Sequence, residues 1–143
     1  MPEILYDFPI QAPPERVFDA LVTPAGLDAW WTLESDGIAG MGQRYRFFFG
    51  GSYVWAGMVR RYERARVVEW ELTEADADWT GTRLGFTLEA DGAGTVVHFQ
   101  HTGWAEASTH FRITGYCWAM YLRLLRRFVE HGERVAYAER LNA

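Results

Sequence analysis

The stretch CWAMYLRLLRRFVEHG, residues 117–132, carries Trp118, Leu122, Leu125 and Val129 at intervals of four, three and four, the spacing that lines side chains along one face of an α-helix. Working back, Phe111 falls seven residues before Trp118, so the pattern predicts a helix from about Glu106 to His131. Gly132 stands where a helix closes on a left-handed residue.

Upstream the period changes from helical to alternating. Gln43 to Phe49 places Tyr45, Phe47 and Phe49 on one face and Arg44 and Arg46 on the other. Gly50-Gly51 is a turn signal, so Ser52 to Tyr62 reads as the hairpin partner. Arg66 to Leu72 follows, with Val68, Trp70 and Leu72 alternating against Val67, Glu69 and Glu71. A polar stretch from Thr73 to Gly81 precedes a strand with Leu84, Phe86 and Leu88 on one face. The loop Asp91-Gly92-Ala93-Gly94 then leads into Thr95 to Thr102, which turns Val97, Phe99 and His101 inward. The product is an antiparallel meander. Before it, Glu3 to Gln11 reads as a strand ended by Pro13-Pro14. A helix with Val17, Leu21 and either Phe18 or Ala20 inward follows, and after Thr23-Pro24 a second short helix carries Leu27, Trp30 and Trp31. The fold class expected is α+β, a curved antiparallel sheet of about six strands around one long C-terminal helix, with two short helices after the first strand. No repeat or linker divides residues 1–143, which read as one domain.

That order resembles the SRPBCC superfamily, also called START-like or birch-pollen-allergen-like domains, whose fold is the helix-grip. FPIQAPPERVFDALVTPAGLDAWW, residues 8–31, is similar to the opening of its activator-of-heat-shock-ATPase-like branch in the placement of Ala-Pro, Val-Phe, Ala-Leu and Trp-Trp. Residues 117–132 match the helix pattern of that branch. Between them, Gly57-x-Val59, the strand ending in Trp70 and GTVVHFQHTGW also match. The chain departs from the branch at Cys117, where Gly is common, and the bulkier side chain is expected to reshape its surroundings. The resemblance implies a cavity between sheet and helix. It also implies three kinds of role: a carrier of a small hydrophobic molecule, a cyclase- or aromatase-type enzyme, or a co-chaperone-like module that contacts a chaperone. The third is expected to be the weakest, because residues 1–143 read as a single domain with no segment for the co-chaperone's additional N-terminal domain.

Composition bounds these roles. Hydrophobic residues make up 49% of the 143-residue chain and aromatics 16%, with seven Trp, seven Tyr and nine Phe, more rings than an ordinary small core uses. The net charge of −5, from 19 acids and 14 bases, argues against nucleic acid, which needs a basic face. No apolar run approaches the ~20 residues of a membrane span, and MPEILYDFPI lacks the form of a secretory signal. With one cysteine, Cys117, no internal disulfide can form, and a cytoplasmic location is expected.

The residues expected to bind a small hydrophobic or aromatic ligand, lipid-like or polyketide-like, are Tyr45, Phe47, Val59, Arg61, Trp70, Phe86, Phe99, His101, Trp118, Tyr121, Leu122 and Leu125. Arg61, on the parity of Gly57 and Val59, is expected at the cavity mouth, where a guanidinium would pair with a carboxylate, or else as a solvated strand residue. His101 reads as a buried structural histidine or as an acid–base group. An enzyme would draw on His101, Tyr45, Arg61 and Tyr121. No metal or other cofactor is expected, since His98 and His101 point to opposite faces of a strand. Cys117 reads as an inert thiol. Arg123, Arg126, Arg127 and Arg134 are placed on the last helix as a solvated face or a contact for an acidic partner. A homodimer is expected through a strand edge or the Trp30-Trp31 region.

Overall fold

The structure is a computed structural model that describes residues 1–143. Strand β1 (Ile4–Ile10) leads into helices α1 (Pro14–Val22) and α2 (Pro24–Trp30). Strands β2 (Glu34–Asp36), β3 (Arg44–Phe48), β4 (Val54–Glu63), β5 (Val67–Glu74), β6 (Arg83–Asp91) and β7 (Gly94–Thr102) follow. Helix α3 (Thr109–His131) and a 3-10 helix (Tyr137–Asn142) end the chain. The strands form one antiparallel sheet in the order β1-β7-β6-β5-β4-β3-β2. The helix-grip fold expected from the sequence is the fold observed, with seven strands rather than about six. The additional one is β2, whose three residues, Glu-Ser-Asp, are too few and too polar to alternate visibly.

Local chemistry sets the helix ends. Pro14 occupies the first turn of α1, where its missing N–H is no loss. Thr23 serves both short helices: its hydroxyl donates to the Asp19 carbonyl at 2.7 Å and accepts from the Gly26 amide at 3.0 Å. Gly26 is required here by space, because a Cβ at that position would lie 2.6 Å from the Ala20 Cα. Helix α3 begins at Thr109 rather than near Glu106, since Ser108 is extended and its hydroxyl accepts from the Phe111 amide at 3.1 Å as an N-cap. It ends at Gly132, in the left-handed region at φ 68°.

The apolar faces meet in a continuous core. Leu84, Phe86 and Leu88 of β6 lie opposite His101, Phe99 and Val97 of β7, and Val17, Phe18 and Leu21 of α1 are buried against the same interior. Trp30 and Trp31, whose region was one expected route to a dimer with at least one of the two rings packed on the sheet, are both buried, at 0% and 3% exposure. Trp30 donates its indole N–H to the Ala20 carbonyl at 2.9 Å, and Trp31 packs on Phe47, Phe49 and Trp118. They are core residues, and neither is available to an interface. Arg134 lies beyond the helix on which it was expected, with its guanidinium over the Phe128 ring. No helix is long and apolar enough to cross a membrane.

Candidate functional site

The inner face of the sheet carries Tyr45, Phe47, Val59, Trp70, Phe86, Phe99 and His101, all nearly fully buried. Their rings pack against one another: Tyr45 meets Trp70 edge-on at 5.3 Å, Phe86 meets Phe99 at 5.2 Å, and Phe99 meets Trp118 at 4.7 Å. The first two are edge-to-face and the third is tilted, and aromatic pairs of this kind stabilise a core beyond their area alone. Trp118, Leu122 and Leu125 of α3 are buried in the same core. The centre of the sheet is therefore filled by its own side chains.

Arg61 does not belong to this face. Val59 pairs with Trp70 and Arg61 with Glu69, so Arg60 is an extra residue in β4, and the inward side passes from odd to even positions beyond it. Tyr62 takes the inward place, its ring 5.5 Å from Phe18, while Arg61 is exposed on the outside. The alternation that placed Arg61 at the cavity mouth fails because a bulge breaks it.

The open part of the interior lies to one side, between β3, β4 and the first half of α3. Here a cleft of about 170 Å³ is walled by the rings of Trp31, Phe49, Trp55, Trp79, Trp118 and Tyr121, with His110, Ile113, Thr114 and Cys117 completing the helical wall. Of the twelve residues expected to bind a ligand, Trp118 and Tyr121 border this cleft. Leu122 borders a separate groove beside Tyr6 and Phe8. Three of the wall residues that were missed, Phe49, Trp55 and Trp79, have identifiable reasons. Phe49 and Trp55 share the parity of Tyr45 and of Gly57 and could have been included on that signal. Trp79 sits in the polar segment after β5 and gave none, although it is buried at 6% exposure.

A buried polar chain runs behind the cleft. The Trp118 indole donates to His101 Nδ1 at 3.1 Å, so that nitrogen carries no proton. His101 Nε2 then donates to the Thr82 hydroxyl at 2.8 Å, and Thr82 donates to the Trp79 carbonyl at 2.6 Å. Burial, with a smaller contribution from nearby His110, pushes the imidazole down to about 3. His101 is thus a neutral ring with both nitrogens engaged, holding Trp118 and Trp79 in register. It has no free nitrogen for acid–base chemistry. The Tyr45 hydroxyl is also committed: it donates to the Val22 carbonyl at 2.6 Å, and burial, with Tyr62 nearby, raises its pKa to about 12.

At the cleft itself, the Trp79 indole donates to the Thr114 hydroxyl at 3.3 Å, and His110 Nδ1 is hydrogen-bonded to Asp78 at 2.7 Å. Burial, followed by the influence of Tyr137, pushes the Tyr121 phenol up to about 12, so it stays protonated. The Cys117 thiol is half-buried and also raised by burial, which keeps it from the reactive thiolate form. Four residues expected as catalytic candidates thus separate: His101 and Tyr45 are locked in the core, Arg61 is outside, and Tyr121 alone faces the cleft.

The segment after α3 straps this end of the molecule. Arg140 is buried at 4% exposure and donates to the carbonyls of Val135, Thr32 and Asp28 at 3.0, 3.2 and 2.7 Å. Tyr137 donates its hydroxyl to the Phe49 carbonyl at 3.0 Å. The strap thereby fixes the backbone on either side of Trp31 and at Phe49, two walls of the cleft. A buried arginine answered by carbonyls has no signature in sequence, where arginine ordinarily reads as exposed.

On the outer face of α3, Arg127 is paired with Glu133, and Arg123 and Arg126 border a wider surface groove with Tyr116 and Leu141. His98, three residues from His101 on β7, lies outside the sheet between Asp7 and Glu89.

Comparison with known proteins agrees with this architecture. The family model described as Activator of Hsp90 ATPase homolog 1-like protein matches residues 11–130. No curated protein matches the chain. Among solved structures, the Aha1 dimer from Colwellia psychrerythraea is 30% identical, with a TM-score of 0.84 over 93% of this chain and 99% of that one. Protein SSP2350 from Staphylococcus saprophyticus is 19% identical, with a TM-score of 0.79 over 94% and 96%. CalU16 from Micromonospora echinospora is 20% identical, with a TM-score of 0.74 over 91% and 77%.

Proposed function

Because the chain belongs to the Activator of Hsp90 ATPase homolog 1-like family, a helix-grip fold with sheet and helix arranged around an interior, we propose that it binds a small hydrophobic or aromatic molecule between the sheet and α3. One observation carries this reading: the cleft of about 170 Å³ walled by six aromatic rings. Apolar surface that an occupant removes from water stabilises the complex by roughly 25 cal/mol per Å². Small-molecule sites are commonly concave, apolar and furnished with a few polar groups, and here Thr114, Cys117 and Tyr121 supply them.

The alternative of a cyclase- or aromatase-type enzyme has less to rest on, since the His101 nitrogens and the Tyr45 hydroxyl are already engaged and Arg61 lies outside the sheet. A chaperone-activating role rests on the family's name alone, and function does not transfer with fold. The test is native mass spectrometry of freshly purified protein against the same sample denatured, followed by titration with a panel of small apolar compounds. A co-purified small molecule, or saturable uptake reduced by Ile113→Trp at the rim of the cleft, is the expected result. Bare protein that takes up no member of the panel would sink the reading.

A further inference from the structure

Resting on that reading, we propose that the occupant of the cleft is a neutral molecule whose buried part is a single aromatic ring bearing one hydrogen-bond acceptor. Size, wall geometry, charge and the lining hydroxyls each point to this class.

An apolar cavity of about 150 Å³ holds one benzene, and the cleft measures about 170 Å³. One ring with a small substituent fills it, whereas a fused three-ring system exceeds it. The walls are flat rings set at angles to one another: Trp55 and Trp79 stand 4.7 Å apart at 47°, Trp31 and Phe49 5.3 Å apart at 64°, and Trp31 and Trp118 5.3 Å apart at 38°. Tilted rings of this kind offer both faces and edges, which suits a flat aromatic guest in offset or edge-on contact. A flexible alkyl chain would gain area but none of that geometric preference.

Charge excludes an acid. The residues that line the cleft include no lysine or arginine. Arg61 is on the outer face, the Arg140 guanidinium is engaged by three carbonyls, and His110 is bound through Nδ1 to Asp78, whose carboxylate opposes a second one beside it. A buried carboxylate would find no free cation and would keep its full desolvation cost. Donors, by contrast, are present. Thr114 accepts from the Trp79 indole, which leaves its own hydroxyl proton to give, and the Tyr121 phenol remains protonated. A carbonyl or ether oxygen on the ring answers them.

The experiment titrates the 143-residue chain with acetophenone, toluene, benzoate, 1-octanol and 9-acetylanthracene, following the indole N–H signals of its seven tryptophans in proton–nitrogen correlation spectra. Acetophenone is expected to shift the signals of Trp31, Trp55, Trp79 and Trp118 saturably, with benzoate and 9-acetylanthracene binding at least tenfold more weakly. Tyr121→Phe is expected to weaken acetophenone roughly two- to tenfold, the effect of one neutral hydrogen bond, and to leave toluene unchanged. Benzoate, 1-octanol or 9-acetylanthracene binding as tightly as acetophenone, or better, overturns the class while leaving a ligand site in place. Equal loss for acetophenone and toluene, or no loss for either, overturns the acceptor's pairing with Tyr121. Silence from every probe overturns this inference together with the binding reading beneath it.

Discussion

Between Leu122 and Val129 the final helix buries Leu122, Leu124, Leu125 and Val129, and its end is tied down where Arg16 donates to the Val129 carbonyl. Between Thr109 and Trp118 the same helix buries only Thr114 and Trp118, with Ile113 54% and Tyr116 82% exposed. The difference begins with the side chains each half contributes, since the second half brings Leu122, Leu124, Leu125 and Val129. Aliphatic chains interdigitate and reach the density of an organic crystal. The first half faces fused rings held at fixed tilts by neighbours and hydrogen bonds, and rigid plates leave a gap that no flexible side chain closes. The second half of α3 therefore sends four aliphatic side chains into the core, with Leu122 also bordering the groove beside Tyr6 and Phe8, while the first half borders the cleft.

The comparison breaks first on packing. Leu125→Ala removes a side chain with 0% exposure and is expected to cost about 2–5 kcal/mol, the range for large-to-small changes in a filled core. Ile113→Ala, on the cleft half, should fall within about 0.5 kcal/mol of the parent. Urea denaturation of both variants measures the contrast, and similar losses would mean that the two halves are packed alike.

The next largest effect is the response to acid, which the buried chain behind the cleft controls. His101 titrates near 3 when folded and near 6.5 when free. Between those values the unfolded chain binds one more proton, so stability from this residue is complete above about pH 6.5 and is lost as pH falls. The slope is at most about 1.4 kcal/mol per pH unit. His98 acts with the opposite sign: hydrogen bonds to Asp7 and then Glu89 raise its pKa, so its contribution is present below 6.5 and fades as pH rises through the raised value. It is small because the ring is exposed. His101→Gln should flatten the acid limb of a stability–pH curve while His98→Gln leaves it, and coincident acid limbs for His101→Gln and the parent would rule out a neutral buried imidazole.

These two histidines also mark how far the sequence could be read. Alternation along β7 assigned His101 inward and His98 outward, and the spacing in residues 117–132 assigned the helix face, because burial follows period when an element is regular. The same logic failed at Arg61, where a single extra residue in β4 reversed the parity. It missed Trp79 because that ring is buried by its tertiary neighbours Trp55, Trp104 and Trp118 and not by any local pattern. The aromatic interior was legible, while its division into a packed centre and an open edge depends on ring tilts that no spacing encodes.

The strap sharpens the comparison at the smallest scale. If the cleft half of α3 is not consolidated by packing, its surroundings must be held by other means, and Arg140 is the group in position to do so. Its guanidinium answers Asp28 and Thr32, carbonyls at the end of α2 that helix geometry leaves without partners. Arg140→Met keeps the apolar stem and removes those donors. It should cost about 1–3 kcal/mol, the penalty for leaving buried acceptors unpaired. That loss should appear locally, as faster amide exchange at Trp31, Thr32 and Leu33, with little change in the amides of Leu122 to Val129. Faster exchange along the whole of α3 would instead make the strap a general clamp on the core, and the two halves of the helix would then share one source of stability.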